Sequence, residues 1–220
     1  MVKSDPVSQP TRVLLADTDE ALPAALAALR AGGVVAFPTD TVYGVGCDLW
    51  PVEAIERLYD AKQRPRELAI PILVSHPSYV AQVARDLPPD FEAVVGRFWP
   101  GGLTVIVPKA EGVPEALSGG RDTVAVRMPD HPVALRLIEA MGGALAVTSA
   151  NLSGRPAPVS AAEVLADLDG RVPVLVDGGV CPGGVASTII SLVSTPPVLL
   201  RQGGIAPDAL RQVLGELVLP

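Results

Sequence analysis

The chain has 220 residues, a formal net charge of −7, 49% hydrophobic but only 4% aromatic residues, and two cysteines. The acidic balance argues against binding nucleic acid over a broad surface, which depends on Lys and Arg neutralising phosphates, though it leaves room for a local basic cleft. Cys47 and Cys181 are too few for a disulfide-built domain and show no zinc spacing, so each reads as a small buried residue in a core of Val, Leu, Ile and Ala.

Residues 1–12 lack the apolar core of a signal peptide. No apolar run approaches the ~20 residues of a membrane span, so a soluble cytoplasmic protein with no membrane contact is expected. Pro6 and Pro10 suggest a loose N-terminal arm over residues 1–15, with a short edge strand at 11–16. Asp17 or Asp19 can cap the next helix, whose Leu22, Leu26 and Leu29 recur on one face until Gly32 and Gly33 end it. A strand at 34–37 runs into PTDTVYGVG, a loop dense in hydroxyls whose two glycines let backbone approach a ligand closely. Ile55, Leu58 and Tyr59 mark a helix at 52–61 that leads into Lys62-Gln63-Arg64 and stops at Pro65. Lys62 and Arg64 have two readings, as complements to the helix macrodipole or as partners of an anion.

Strands are expected at 70–74, 103–107 and 123–128, with helices at 78–85 and 91–98. Residues 109–122 read as an exposed polar loop able to move over a site. His131-Pro132 opens a helix through Met141, and His131, like His76, is assigned to no chemistry. The apolar run from Ala144 opens into SANLSG, either a ligand loop at a strand's carboxyl end or a polar capping turn. Ser160 and Glu163 match a capping box for a helix to Leu168. Strands at 172–176 and 189–193 flank a glycine-rich turn, a strand at 198–200 ends at Arg201, and Pro207 to Leu214 forms a closing helix. Together these predict an α/β fold, an open twisted mixed β-sheet flanked by helices, with the domain at 16–206 and residues 207–220 packed upon it.

Four stretches share a chemical character: Thr39 to Gly46, Lys62 to Arg64, Ser149 to Gly154, and Ser187 with Arg201. Lys and Arg neutralise anionic oxygens, while Ser, Thr, Asn and backbone N–H groups orient them. The Walker pattern, GxGxxG, GxSxG and HExxH are all absent.

Read together and in order, FPTDTVYGVGCD, AKQRP, WPGGLTVIVP, TVAVRMPDHP, VTSANLSGRPAP, VDGGVCPGGVASTII and LLRQGG resemble the YrdC/TsaC-like family of threonylcarbamoyl-AMP synthases. The resemblance covers roughly residues 21–205, and its hallmark KxR and SxN pairs fall on Lys62, Arg64, Ser149 and Asn151. It implies formation of threonylcarbamoyl-AMP and pyrophosphate from L-threonine, bicarbonate and ATP, the first step towards N6-threonylcarbamoyladenosine in tRNA. It further implies Lys62 and Arg64 as the catalytic charges, with Ser149, Asn151 and Arg201 completing the ATP site. Thr41, Thr123, Arg127 and Ser187 are implied as threonine contacts. The resemblance also implies Mg²⁺ accompanying ATP and a downstream threonylcarbamoyl transferase complex that takes the product, with a weak tRNA contact left open.

Two positions depart from the family pattern. Leu68-Ala69-Ile70 stands where relatives often carry Lys or Asn followed by Pro-Leu, with Arg66 as a candidate replacement, and Val159 stands where they often carry Thr. Competing readings are an RNA-binding module, a paralogue with another acceptor, and a carbamoyl-transfer domain, which would need acylphosphatase-like and zinc-finger regions.

Overall fold

A computed structural model describes residues 9–220. Part of the arm expected over residues 1–15 therefore lies outside the described residues; its edge strand is β1 (Arg12–Leu15). There follow α1 (Ala21–Arg30), β2 (Val35–Phe37), β3 (Gly44–Cys47), α2 (Val52–Lys62) and β4 (Ile72–Val74). Next come α3 (Phe91–Phe98), β5 (Leu103–Pro108), α4 (Glu115–Ser118), β6 (Thr123–Arg127), α5 (Pro132–Ala140) and β7 (Ala144–Ser149). The last elements are α6 (Ala161–Leu168), β8 (Val174–Asp177), β9 (Thr188–Ser191), β10 (Val198–Arg201) and α7 (Pro207–Leu214).

The ten strands among the described residues form one mixed sheet in the order β1-β8-β2-β3-β7-β4-β6-β5-β9-β10. The period-2 alternation of a strand divides its residues between two cores. Val35, Phe37, Leu73, Leu145 and Val174 meet α1 and α5 on one face. Ala36, Ile72, Val105, Val126 and Leu175 pack on the other face with Ile55 and Leu58 of α2, Val94 of α3, Val164 of α6 and Leu210 of α7. Because both faces are covered over much of the sheet, most strands read as continuous apolar runs.

β3 is the strand that the residue pattern hides, since Gly-Val-Gly-Cys looks like the tail of a loop. It pairs antiparallel with β2 and β7 at the middle of the sheet. Its glycines are required by close approach: a Cβ on Gly44 would lie 2.8 Å from Val147 Cγ1, and one on Gly46 would lie 2.8 Å from the Ala146 carbonyl.

Several local expectations are corrected. The segment Pro77–Gln82 is a 3₁₀ helix, shorter than the helix expected at 78–85. Neither Asp17 nor Asp19 caps α1; Glu20 holds the N-cap position without a side-chain bond. Ser160 does cap α6 through Glu163 N, but Glu163 Oε2 accepts from Val159 N, one residue before the position a capping box uses. Residues 109–122 are no open lid: they contain α4, with Val113, Leu117 and Ser118 buried and Ala116 O accepting from Tyr59 Oη.

Candidate functional site

The alternation that sends Val105 and Val126 into the larger core sends Thr104, Ile106, Ala125 and Arg127 to the opposite face, beside Leu73 and Val147. On that face α1 packs against β2 and β8, and α5 against β4 and β7. A cavity of about 300 Å³ opens over the strands beyond, at the lower end of the range for small-molecule sites. Polar groups ring it where strands begin and end: Thr39 and Thr41 before β3, Ser149 ending β7, Arg127 ending β6, Ser187 before β9 and Arg201 ending β10.

Three arginines line the cavity and, among the described residues, no carboxylate does. Each is held by backbone oxygen. Arg64 Nε and Nη2 donate to the carbonyls of Leu68 (3.1 Å) and Ala69 (2.8 Å). Arg201 Nε donates to Ser187 O (3.0 Å) and its Nη2 to Ser187 Oγ (3.2 Å), which is itself 2.7 Å from Thr104 Oγ1. Arg127, only 6% exposed, donates from Nε to Gly101 O (2.8 Å), from Nη1 to Thr41 Oγ1 (2.9 Å) and from Nη2 to Asp40 Oδ1 (2.5 Å). Burial lowers the pKa of all three guanidinium groups, with Asp40 opposing the shift at Arg127. Guanidinium nonetheless stays protonated in proteins, so the cavity presents fixed positive charge.

The SANLSG segment is clamped from below. Lys62, the last residue of α2, is 1% exposed, and its Nζ donates to the carbonyls of Ser149 and, at 2.6 Å, Asn151. Ser153 N returns a bond to Lys62 O (2.9 Å). Asp167 on α6 accepts from Leu152 N (3.0 Å) and Arg155 Nη1 (2.6 Å). Asn151 Nδ2 donates to Leu152 O and Arg155 O, while its buried Oδ1 accepts no bond from the described residues. Lys62 thus holds the SxN loop and does not line the cavity. Burial above all, and then the charge of Arg64, pulls its pKa down to about 7.

The structure gathers Thr41, Arg64, Arg127, Ser149, Ser187 and Arg201 around one cavity, with Lys62 and Asn151 behind it. Thr123 is not among them. It sits four residues back along β6, paired with Pro108, roughly 13 Å from Arg127 at the rise of a strand. Arg66 does not replace a cavity contact either: it pairs with Glu56 and Asp60 on the outer surface of α2. Both histidines cap helices through Nδ1, accepting from Ser78 N and Val133 N, and both cysteines are free and buried. The residues that sequence reasoning missed are Asp40, Thr104 and Asp167. Asp40 stands inside the PTDTVYG stretch, but its partner Arg127 is 87 residues away.

Known proteins resemble this chain in sequence and in fold. A threonylcarbamoyl-AMP synthase of Pyrococcus abyssi is 44% identical over 189 residues, covering 86% of this chain and 56% of the relative. One from Bacillus subtilis is 42% identical over 204 residues, covering 92% and 59%. The chain thus spans a little over half the length of these two relatives. The structure of P. abyssi Sua5 complexed with L-threonine superposes with a TM-score of 0.90 at 39% identity, over 96% of this chain and 63% of that one. A family model named Sua5/YciO/YrdC and described as "Telomere recombination" matches residues 27–203. By the span of that match and its agreement with the fold, the chain belongs to the Sua5/YciO/YrdC family.

Proposed function

We propose that this domain condenses L-threonine, bicarbonate and ATP into threonylcarbamoyl-AMP and pyrophosphate. The observation that carries the reading is the carboxylate-free cavity in which Arg64, Arg127 and Arg201 converge with the hydroxyls of Thr41, Ser149 and Ser187. All the substrates are anionic or carry a carboxylate, and arginine meets phosphate and carboxylate oxygens with paired N–H donors.

In this reading Arg64 and Arg201 neutralise the triphosphate, and Arg127 with Thr41 and Ser187 holds the amino acid. Ser149 orients the nucleotide, and Asn151, behind the cavity, holds the loop in place through the bonds from Nδ2 to Leu152 O and Arg155 O. Bicarbonate and the threonine amine form a carbamate with loss of water. A carbamate oxygen then attacks the α-phosphorus, and the bond to pyrophosphate breaks. Charge builds on the leaving phosphates, where fixed guanidinium groups stabilise it most. The carbamate is itself the nucleophile, so no histidine is needed, and both histidines are engaged in capping.

No cluster of three or more His, Cys, Asp or Glu suited to a metal ion occurs among the described residues. Mg²⁺ enters this reading within the MgATP substrate, as is usual for the ion. The product is a labile mixed anhydride, which calls for a transferase to consume it, and the reading places the protein in the cytoplasm. No helix among the described residues is long and apolar enough to cross a membrane.

The test is incubation of the protein with MgATP, bicarbonate and L-threonine, rapid quenching, and mass spectrometry for threonylcarbamoyl-AMP beside pyrophosphate release. Product that depends on threonine supports the reading. Pyrophosphate released irrespective of threonine, or no product at all, overturns it.

A further inference from the structure

Arg127 is a buried cation at the cavity wall, and a buried cation is tolerated only where it is paired and fully hydrogen-bonded. Its pair is Asp40, which does not itself line the cavity. Asp40 Oδ1 lies 2.5 Å from Arg127 Nη2 and also accepts from Asp130 N at 3.0 Å, in the connection between β6 and α5. The backbone carbonyl of the same residue accepts from Gly183 N at 2.9 Å, in the glycine-rich turn between β8 and β9. That turn leads through Ala186 and Ser187, which do line the cavity. A Cβ on Gly183 would lie 2.6 Å from Asp40 O, so the two backbones are in direct contact.

We propose that Asp40 is a positioning residue for substrate binding: from behind the wall it fixes the orientation of the Arg127 guanidinium and anchors the turn that carries Ser187. Three of the five N–H donors of Arg127 are taken by Gly101, Thr41 and Asp40, so Asp40, the one charged partner of the three, helps decide where the remaining two point. A carboxylate outside the cavity lining also partly neutralises the guanidinium, leaving an arginine held in place but still free to bind a second anion from the cavity side. This deepens the proposed function, since it rests on Arg127 as the contact for the amino-acid carboxylate.

The experiment has two arms. In the first, the guanidinium N–H resonances of Arg127 are followed by ¹⁵N NMR in the wild-type protein and in Asp40→Asn, assigned by their loss in Arg127→Lys. A guanidinium held by Asp40 gives separate, slowly exchanging Nη–H signals, which are expected to broaden and merge in D40N. Unchanged signals would overturn the proposal whatever the enzyme does.

In the second arm the KM values for threonine and ATP are measured for wild type, D40N, R127K and the double variant. Replacing a charge-assisted bond by a neutral one is expected to raise the threonine KM ~10-fold, with the ATP KM unmoved. In the R127K background D40N is expected to add little, because the two act through one contact. Equal rises in both KM values, a fall in threonine KM, or full additivity would each refute the assignment. If the wild type turns over no threonine while the resonances still respond to D40N, the functional reading fails and the positioning role stands. Asp40→Glu, which keeps the charge but displaces it by one methylene, is expected to give intermediate values in both arms and serves if D40N does not fold.

Discussion

Lys62 offers a quantitative test, because its ammonium is almost wholly buried and is met by two carbonyl oxygens instead of a carboxylate. Burial, reinforced by Arg64 and opposed by Asp167, lowers its pKa from 10.5 to about 7. A lysine with a folded pKa below its unfolded value binds fewer protons when folded, so stability rises with pH between those two values. The slope over that interval is about 1.4 kcal/mol per pH unit, or roughly 5 kcal/mol in all. Below the folded pKa both states carry the proton and the whole penalty remains. Lys62→Met fills much of the same space but cannot titrate; Ser149 O keeps its bond from Asn151 N, whereas Asn151 O loses the lysine donor, a loss of about 1–3 kcal/mol. The variant is therefore expected to be the more stable protein near neutral pH, and the difference should shrink as pH rises and vanish at about pH 9. Urea unfolding of both proteins at several pH values, followed by far-UV circular dichroism, measures it. A stability difference that is constant with pH, or that moves the other way, would refute a lysine held largely at the expense of its charge.

Arg64→Ala is expected to lower kcat/KM ~100-fold through lost stabilisation of the triphosphate. Its stability should change by less than about 1 kcal/mol, since the side chain is partly exposed; pyrophosphate-release kinetics and a thermal midpoint check the pair of values. Gly183→Ala places a methyl 2.6 Å from Asp40 O and 3.1 Å from Thr41 Cα, both backbone atoms. A loss of about 1–3 kcal/mol is expected, and an unshifted urea curve would contradict the close packing of that turn. Thr123→Ala should leave both KM values unchanged, because Thr123 lies outside the cavity lining; a selective rise in threonine KM would return it to the site.

The elements most legible in the sequence were those with a strong local signal. α3, α6 and α7 fall where periodicity and stop residues place them, because capping and breaking are decided within a turn of the residue concerned. β3 was illegible for the opposite reason: its glycines are explained only by the side chain and backbone of β7, about a hundred residues away in sequence. The segment 109–122 is hidden likewise, since its polar composition suggests exposure, whereas α4 is seated against Tyr59 of α2.

The site divides along the same line. Residue types alone identify a chain equipped for anionic ligands, because the chemistry of Arg, Ser, Thr and Asn does not depend on the fold, and motif order identifies the family. Which of those residues face the cavity depends on strand register and on which sheet face the helices leave uncovered. Thus Thr123 and Arg127 share a strand, yet only Arg127 reaches the cavity. Lys62 and Arg64 are two residues apart, yet the end of α2 turns one beneath the loop and the other to the cavity wall. The pairing of Asp40 with Arg127 lies wholly in tertiary structure: it is an ion pair across 87 residues of chain, made where two strand ends meet, and no local pattern can encode a partner that only the folded sheet brings near.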